Sequence, residues 1–155
     1  MNEDIENSHL LGKGDKYVYA LIDPDGAIRY IGCTRAPKAR LTQHRNLDGD
    51  KPPTRPKNLW IEAMSERGEL PRMRILCAVD IHMGRFFEHF LVRYYRGCGL
   101  LNAGNFKPEE AALIDSFISE LAAETPLRDM LLLAAQKYID EWGPEFLRRC
   151  AIDNR

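Results

Sequence analysis

At 155 residues the chain supports one well-packed domain with an appendage and excludes two full-sized ones. Its longest apolar run, Met130 to Ala135, falls far short of the roughly 20 residues a membrane helix needs, which excludes a membrane span of that kind. Cys33, Cys77, Cys98 and Cys150 lie far apart with no CxxC pair, and nothing near the N-terminus resembles a secretory leader, so reduced thiols and a cytoplasmic setting are expected.

The net charge of -1 conceals a segregation. Residues 16 to 106 carry 15 Lys and Arg against 9 Asp and Glu, residues 1 to 15 carry 1 against 4, and residues 107 to 155 carry 6 against 10. The middle segment is basic, as a phosphate-backbone binder requires, and its two flanks are acidic.

Residues 1 to 15 have no hydrophobic period and read as a flexible arm. Two β-branched and aromatic runs, 17 to 22 and 27 to 31, flank Asp23-Pro24-Asp25-Gly26, the composition of a hairpin turn. A two-residue loop would set Tyr19 opposite Tyr30; a three-residue loop with a glycine bulge would shift that register by one. Pro37 suits a first helical residue, so a helix is expected through Leu47, with Arg40 and His44 four apart on one face. Residues 48 to 55 read as a loop. Leu59, Trp60, Ala63 and Met64 then recur at helical spacing up to Gly68, and the alternation of Met73, Ile75, Cys77 and Val79 gives a third strand.

A helix from about Met83 to Arg96 follows, its apolar stripe built of Phe86, Phe87, Phe90, Leu91 and Tyr94. Glu88 sits at the edge of that stripe, where an acid is costly unless something pairs with it. Past Asn102 the texture changes. Pro108-Glu109-Glu110 opens one amphipathic helix and residues 127 to 142 supply another, so a helical extension over 107 to 155 is expected after a domain spanning 16 to 106.

Tyr17-Val18-Tyr19, Tyr30-Ile31-Gly32, Arg40, His44, Glu88 and Asn102 stand in an order and spacing that resemble a GIY-YIG endonuclease domain over residues 16 to 106. Asn58-Leu59-Trp60-Ile61 and the stretch from Gly68 to Pro71 are similar to small phage and mobile-element members. Tyr17 departs from the first glycine of the motif name. The resemblance implies an α+β fold with a small three-stranded antiparallel sheet flanked by helices, to which the α-helical extension is added.

It also implies a DNA endonuclease that hydrolyses phosphodiesters to 5'-phosphate and 3'-hydroxyl ends with one Mg²⁺, for which Mn²⁺ can substitute. Glu88 is then the metal ligand, a hard carboxylate suited to an ion that keeps most of its waters. Tyr19, Tyr30, Arg40 and His44 complete the catalytic set, with Tyr19 favoured as base and His44, whose ordinary pKa is better matched, as its rival. Gly32 and Asn102 are expected to support the site structurally. Arg35, Lys38, Arg45, Arg85, His89 and Arg93 are candidate phosphate contacts, and the C-terminal helices a candidate homodimer contact. The rival class is a noncatalytic nucleic-acid or protein-binding module that keeps the fold.

Overall fold

The computed structural model describes residues 4–81, 83–102, 108–121, 124–126, 129–131, 133–134 and 136. Four strands, β1 (Ile5–Glu6), β2 (Lys16–Ile22), β3 (Ile28–Thr34) and β4 (Arg72–Val79), form one sheet in the order β1-β4-β2-β3. Helices α1 (Pro37–Arg45) and α2 (Pro56–Glu66) lie between β3 and β4, and α3 (Gly84–Tyr94) and α4 (Pro108–Glu120) follow. The fold is α+β as expected, with four strands instead of three.

The added strand corrects the reading of the N-terminus as a flexible arm. Ile5 is buried and pairs in parallel with Met73, Glu6 meets Arg72 at 3.1 Å and Arg74 at 2.8 Å, and Asn7 Nδ2 donates to the Ile75 carbonyl. An acidic segment with one apolar anchor docks on a basic strand, a pairing that no periodicity in its own sequence reveals.

Every residue of β2 is buried, so the central strand separates two cores. On one face Tyr17, Tyr19 and Leu21 join Met73 and Ile75 under Leu41 of α1 and Ile61 of α2. On the other, Val18, Ala20, Ile22 and Ile31 pack on Phe86, Phe87, Phe90 and Leu91 of α3. The extension is continuous with this second core: Ile114, Phe117, Met130, Leu131 and Ala134 belong to it, Phe90 and Phe117 meet edge to face, and Arg93 pairs with Asp115. Tyr138, Trp142 and Cys150 lie outside the described residues. Cys33, Cys77 and Cys98 are free thiols.

The hairpin register differs from both expectations. Asp23 N bonds the Ala27 carbonyl and Gly26 has φ 90°, a three-residue loop that on its own would turn Tyr30 to the face opposite Tyr19. A second irregularity, between Leu21 and Ile22, leaves Arg29 unpaired and restores the alternation: Leu21 faces Tyr30 and Tyr19 faces Gly32. The two slips together put both tyrosines on the α1 side, two residues out of the simplest register.

Candidate active site

Placing Tyr19 opposite Gly32 explains the glycine. A Cβ at position 32 would stand 2.4 Å from Tyr19 Oη, so only glycine lets the phenol cross β3. Beyond the crossing, Tyr19 Oη meets His44 Nε2 at 2.6 Å and accepts from Arg40 Nε at 3.4 Å. Arg40 and His44 lie one turn apart on α1, as their spacing predicted. His44 is fully enclosed, with its ring edge-on to Tyr19 and to Tyr30.

Asp48, in the segment expected to be a loop, and Lys57, just beyond it, complete this network. After α1 the chain takes left-handed backbone at Leu47 (φ 61°) and Asp48 (φ 51°). For side chains other than glycine that strain is about 1–3 kcal/mol each. The turn carries Asp48 back over α1, where its carboxylate meets Arg40 Nη1 at 3.3 Å and Lys57 Nζ in a direct contact. Lys57, buried on α2, also reaches His44 Nδ1 at 2.8 Å. Asp50 sets the start of α2: Oδ2 accepts from Thr54 N, Arg55 N and Asn58 Nδ2, which keeps its carboxyl well below the usual range. A signal for Asp48 was present in its spacing, four residues after His44, but not one that distinguishes it from a solvated loop acid.

A cavity of about 380 Å³ opens over the β3 edge and gathers side chains from both sides of the sheet: Tyr30, Arg40, Asp48 and Lys57 from one, Arg85 and Glu88 from the other. Asn102 closes its floor. The amide takes the free edge of β3 in both directions, Oδ1 accepting from Ile31 N at 2.9 Å and Nδ2 donating to Ile31 O at 2.7 Å, while Leu101 N bonds the Arg29 carbonyl. Tyr19 and His44 stand behind the wall; Tyr19 is 1% exposed, and Tyr30 is the phenol on the cavity surface.

The charges are arranged for an anion with a cation. Burial, then the neighbouring Tyr30 phenol, pushes Tyr19 well above its ordinary value of 10 against the pull of Arg40. Burial and then Glu88 raise Tyr30. Burial, then the Lys57 and Arg40 charges, lowers His44 to about 3 in spite of Asp48. Burial alone would raise Asp48, but the Lys57 bond and charge, with His44 and Arg40, hold it low. Glu88 is raised by burial against Arg85, Lys16 and Arg40, and it makes no hydrogen bond or ion pair among the described residues. A half-buried carboxylate left in that condition, on a cavity wall beside Arg85 Nε, which has no hydrogen-bond partner among the described residues, fits a hydrated divalent cation beside a phosphate. No cluster of three or more metal-ligating side chains occurs among the described residues.

Of the expected phosphate contacts, Arg85 and His89 line the cavity, and Arg35 and Lys38 are exposed at the start of α1. Two are not at the site. Arg45 donates to the Pro71 carbonyl at 2.8 Å and pairs with Asp4, so it ties α1 to the N-terminus of β4. Arg93 is held by Asp115 of α4. A helix-face row cannot show which of its cations a later helix will cover.

The sheet edge and the helices against it thus gather Tyr30, Arg40, Arg85 and Glu88 around one basic cavity, with Tyr19 and His44 behind its wall. Residues 15–70 match the family model of the GIY-YIG catalytic domain. Over that segment the chain is similar to the catalytic domain of GIY-YIG endonucleases, a similarity that supports nuclease-type activity in general, and nucleases of that family generally use divalent metal ions. No curated protein and no solved structure matches the chain. The matched segment holds Tyr19, Tyr30, Gly32, Arg40 and His44 and stops before Glu88 and Asn102, whose place at the site rests on the geometry above. No helix among the described residues is long and apolar enough to cross a membrane.

Proposed function

We propose that the protein is a Mg²⁺-dependent DNA endonuclease that hydrolyses a phosphodiester to 5'-phosphate and 3'-hydroxyl ends. The observation that carries this reading is the convergence of Glu88, Tyr30, Arg40 and Arg85 on one cavity, Glu88 having no hydrogen-bond or ion-pair partner among the described residues. Glu88 would hold the ion, which as a Lewis acid would supply charge neutralisation at the phosphate and at the leaving oxygen. Arg40 and Arg85 bind the phosphate oxygens and orient the ester for in-line attack. Tyr30, on the cavity surface, donates a hydrogen bond to the phosphate or to the attacking water. Tyr19 is the base behind it, with His44 as its hydrogen-bond partner at 2.6 Å, and Arg40 links the two to the cavity.

Cleavage of supercoiled plasmid and branched DNA by the purified protein, with Mg²⁺ or EDTA and beside Glu88→Ala, tests the reading. Cutting that requires both the ion and Glu88 is expected, with Mn²⁺ able to replace Mg²⁺. DNA binding without cutting of any substrate would instead make the protein a binding module on the same fold. The described residues of one chain form this site once, so nicks are expected before double-strand breaks. The described apolar face of α4 lies against α3, so a homodimer through the extension would have to use other surface.

A further inference from the structure

We infer that Lys57 and Asp48 are positioning residues that fix the direction of the His44–Tyr19 hydrogen bond, so that His44 Nε2–H donates to Tyr19 Oη and the imidazole does not take the phenol's proton. The catalytic meaning of this assignment rests on the nuclease reading; the direction of the bond does not.

An ammonium carries three donors and no acceptor, so a charged Lys57 at 2.8 Å from His44 Nδ1 obliges that nitrogen to accept. Its direct contact with the Asp48 carboxylate favours the charged form, because a carboxylate offers only acceptors. A neutral imidazole that accepts at Nδ1 carries its hydrogen at Nε2, and Nε2 faces Tyr19 Oη at 2.6 Å. The rival tautomer, Nδ1–H donating to Asp48, would have to span 3.6 Å, beyond a side-chain hydrogen bond. Tyr19 Oη therefore accepts from two N–H groups, His44 Nε2 and Arg40 Nε. The burial and neighbouring charges that keep the His44 ring neutral down to about pH 3 agree with this arrangement.

The consequence is a division of labour. Arg40 and Lys57 are cations facing one carboxylate, Asp48, and Arg40 draws the Tyr19 pKa down against the larger effect of burial. Both N–H groups aimed at that oxygen stabilise negative charge on it. His44 acts as a fixed donor held in register from behind, and Lys57 acts on Tyr19 only through it.

Imidazole nitrogen NMR of the free protein, without DNA or metal, tests the assignment, with the His44 signals identified by their loss in His44→Gln. The Nε2-protonated tautomer is expected in the wild type, and Lys57→Met should move His44 toward the Nδ1–H form, now able to turn to Asp48. An Nδ1–H ring in the wild type, or a tautomer unmoved by Lys57→Met, would overturn it. Should Lys57→Met not fold, Lys57→Met with Asp48→Asn removes the stranded charge and gives the same reading. In cleavage, Lys57→Met should lower kcat about a hundredfold, within the range of acid–base contributions, with KM for DNA changed about twofold or less. His44→Gln, an amide that can donate to Tyr19 while accepting from Lys57, should lose less than His44→Ala; equal losses would count against a fixed donor. If the wild-type protein cuts nothing, the nuclease reading falls while the tautomer still decides this one.

Discussion

The two faces of the sheet hold their helices by different physics. Over the α3 face the contacts are apolar, Phe86, Phe87, Phe90 and Leu91 against Val18, Ala20, Ile22 and Ile31, and the extension adds more of the same through Ile114 and Phe117. Over the α1 face the packing encloses a chain of polar groups, Tyr19, His44, Lys57 and Asp48, each in hydrogen-bond contact with the next. Apolar packing is non-directional and tolerates exchange of similar volumes, whereas a buried polar chain stands only if every member is satisfied. The difference teaches where stability and function reside. One face anchors, the other orients, and Glu88 is the group that the anchoring helix presents to the oriented cavity.

The sharpest test of that division is Glu88→Gln. It should lower kcat about 10²–10³-fold, the usual loss on removing one preorganised charge-stabilising group. Thermal stability should rise, since burial raises the Glu88 pKa and a raised carboxylate pKa means the ionised form destabilises the fold at neutral pH. A melting temperature that falls would show that Glu88 holds the structure. Phe90→Ala should do the reverse, costing about 3–5 kcal/mol in denaturant unfolding. Its activity per folded molecule should stay near the wild-type level; a proportionate loss of kcat would break the comparison.

Gly32→Ala sits between the two. Its Cβ would fall 2.4 Å from Tyr19 Oη, and the resulting displacement should cost about 1–3 kcal/mol as overpacking does. Cleavage should drop by more than that stability loss accounts for, because the phenol leaves His44. A milder effect is set by pH. The unfolded imidazole takes a proton near 6.5, while the folded His44 resists down to about 3. Between those values the unfolded chain binds more protons, so stability is full above about pH 6.5 and is lost as pH falls through the window. Glu88 works in the opposite sense at the acid end, so denaturant titrations are best compared with His44→Gln, in which this slope should flatten. Smallest of all, Arg45→Ala should cost about 1 kcal/mol, that of a typical hydrogen bond, and leave cleavage unchanged.

Much of this site was legible in the chain. The one-turn spacing of Arg40 and His44, the position of Glu88 on the edge of an apolar stripe, and Asn102 after the last helix of the domain all survive in the fold. The hairpin composition gave a turn but not its register, because Gly26 permits one slip and only pairing along the whole of β2 demands the compensating one at Arg29. The arm was illegible because its docking on β4 depends on Arg72 and Arg74, far away in sequence. Arg45 and Arg93 looked like phosphate contacts because a linear pattern of cations carries no record of the carbonyl or carboxylate that folding brings to each.

By itself the sequence determined the order of elements from β2 to α4, the α+β class and a candidate set of site side chains, since these follow from local period, turn chemistry and residue type. Tertiary structure alone decided that Tyr30, and not Tyr19, faces the cavity, that Asp48 and Lys57 close the network behind it, and that Glu88 meets them from the other side of the sheet. The physical reason is that burial, hydrogen-bond direction and charge balance belong to pairs of residues distant in the chain, and a pair acquires them only when the sheet edge, two irregular turns and a packed helix bring its members together.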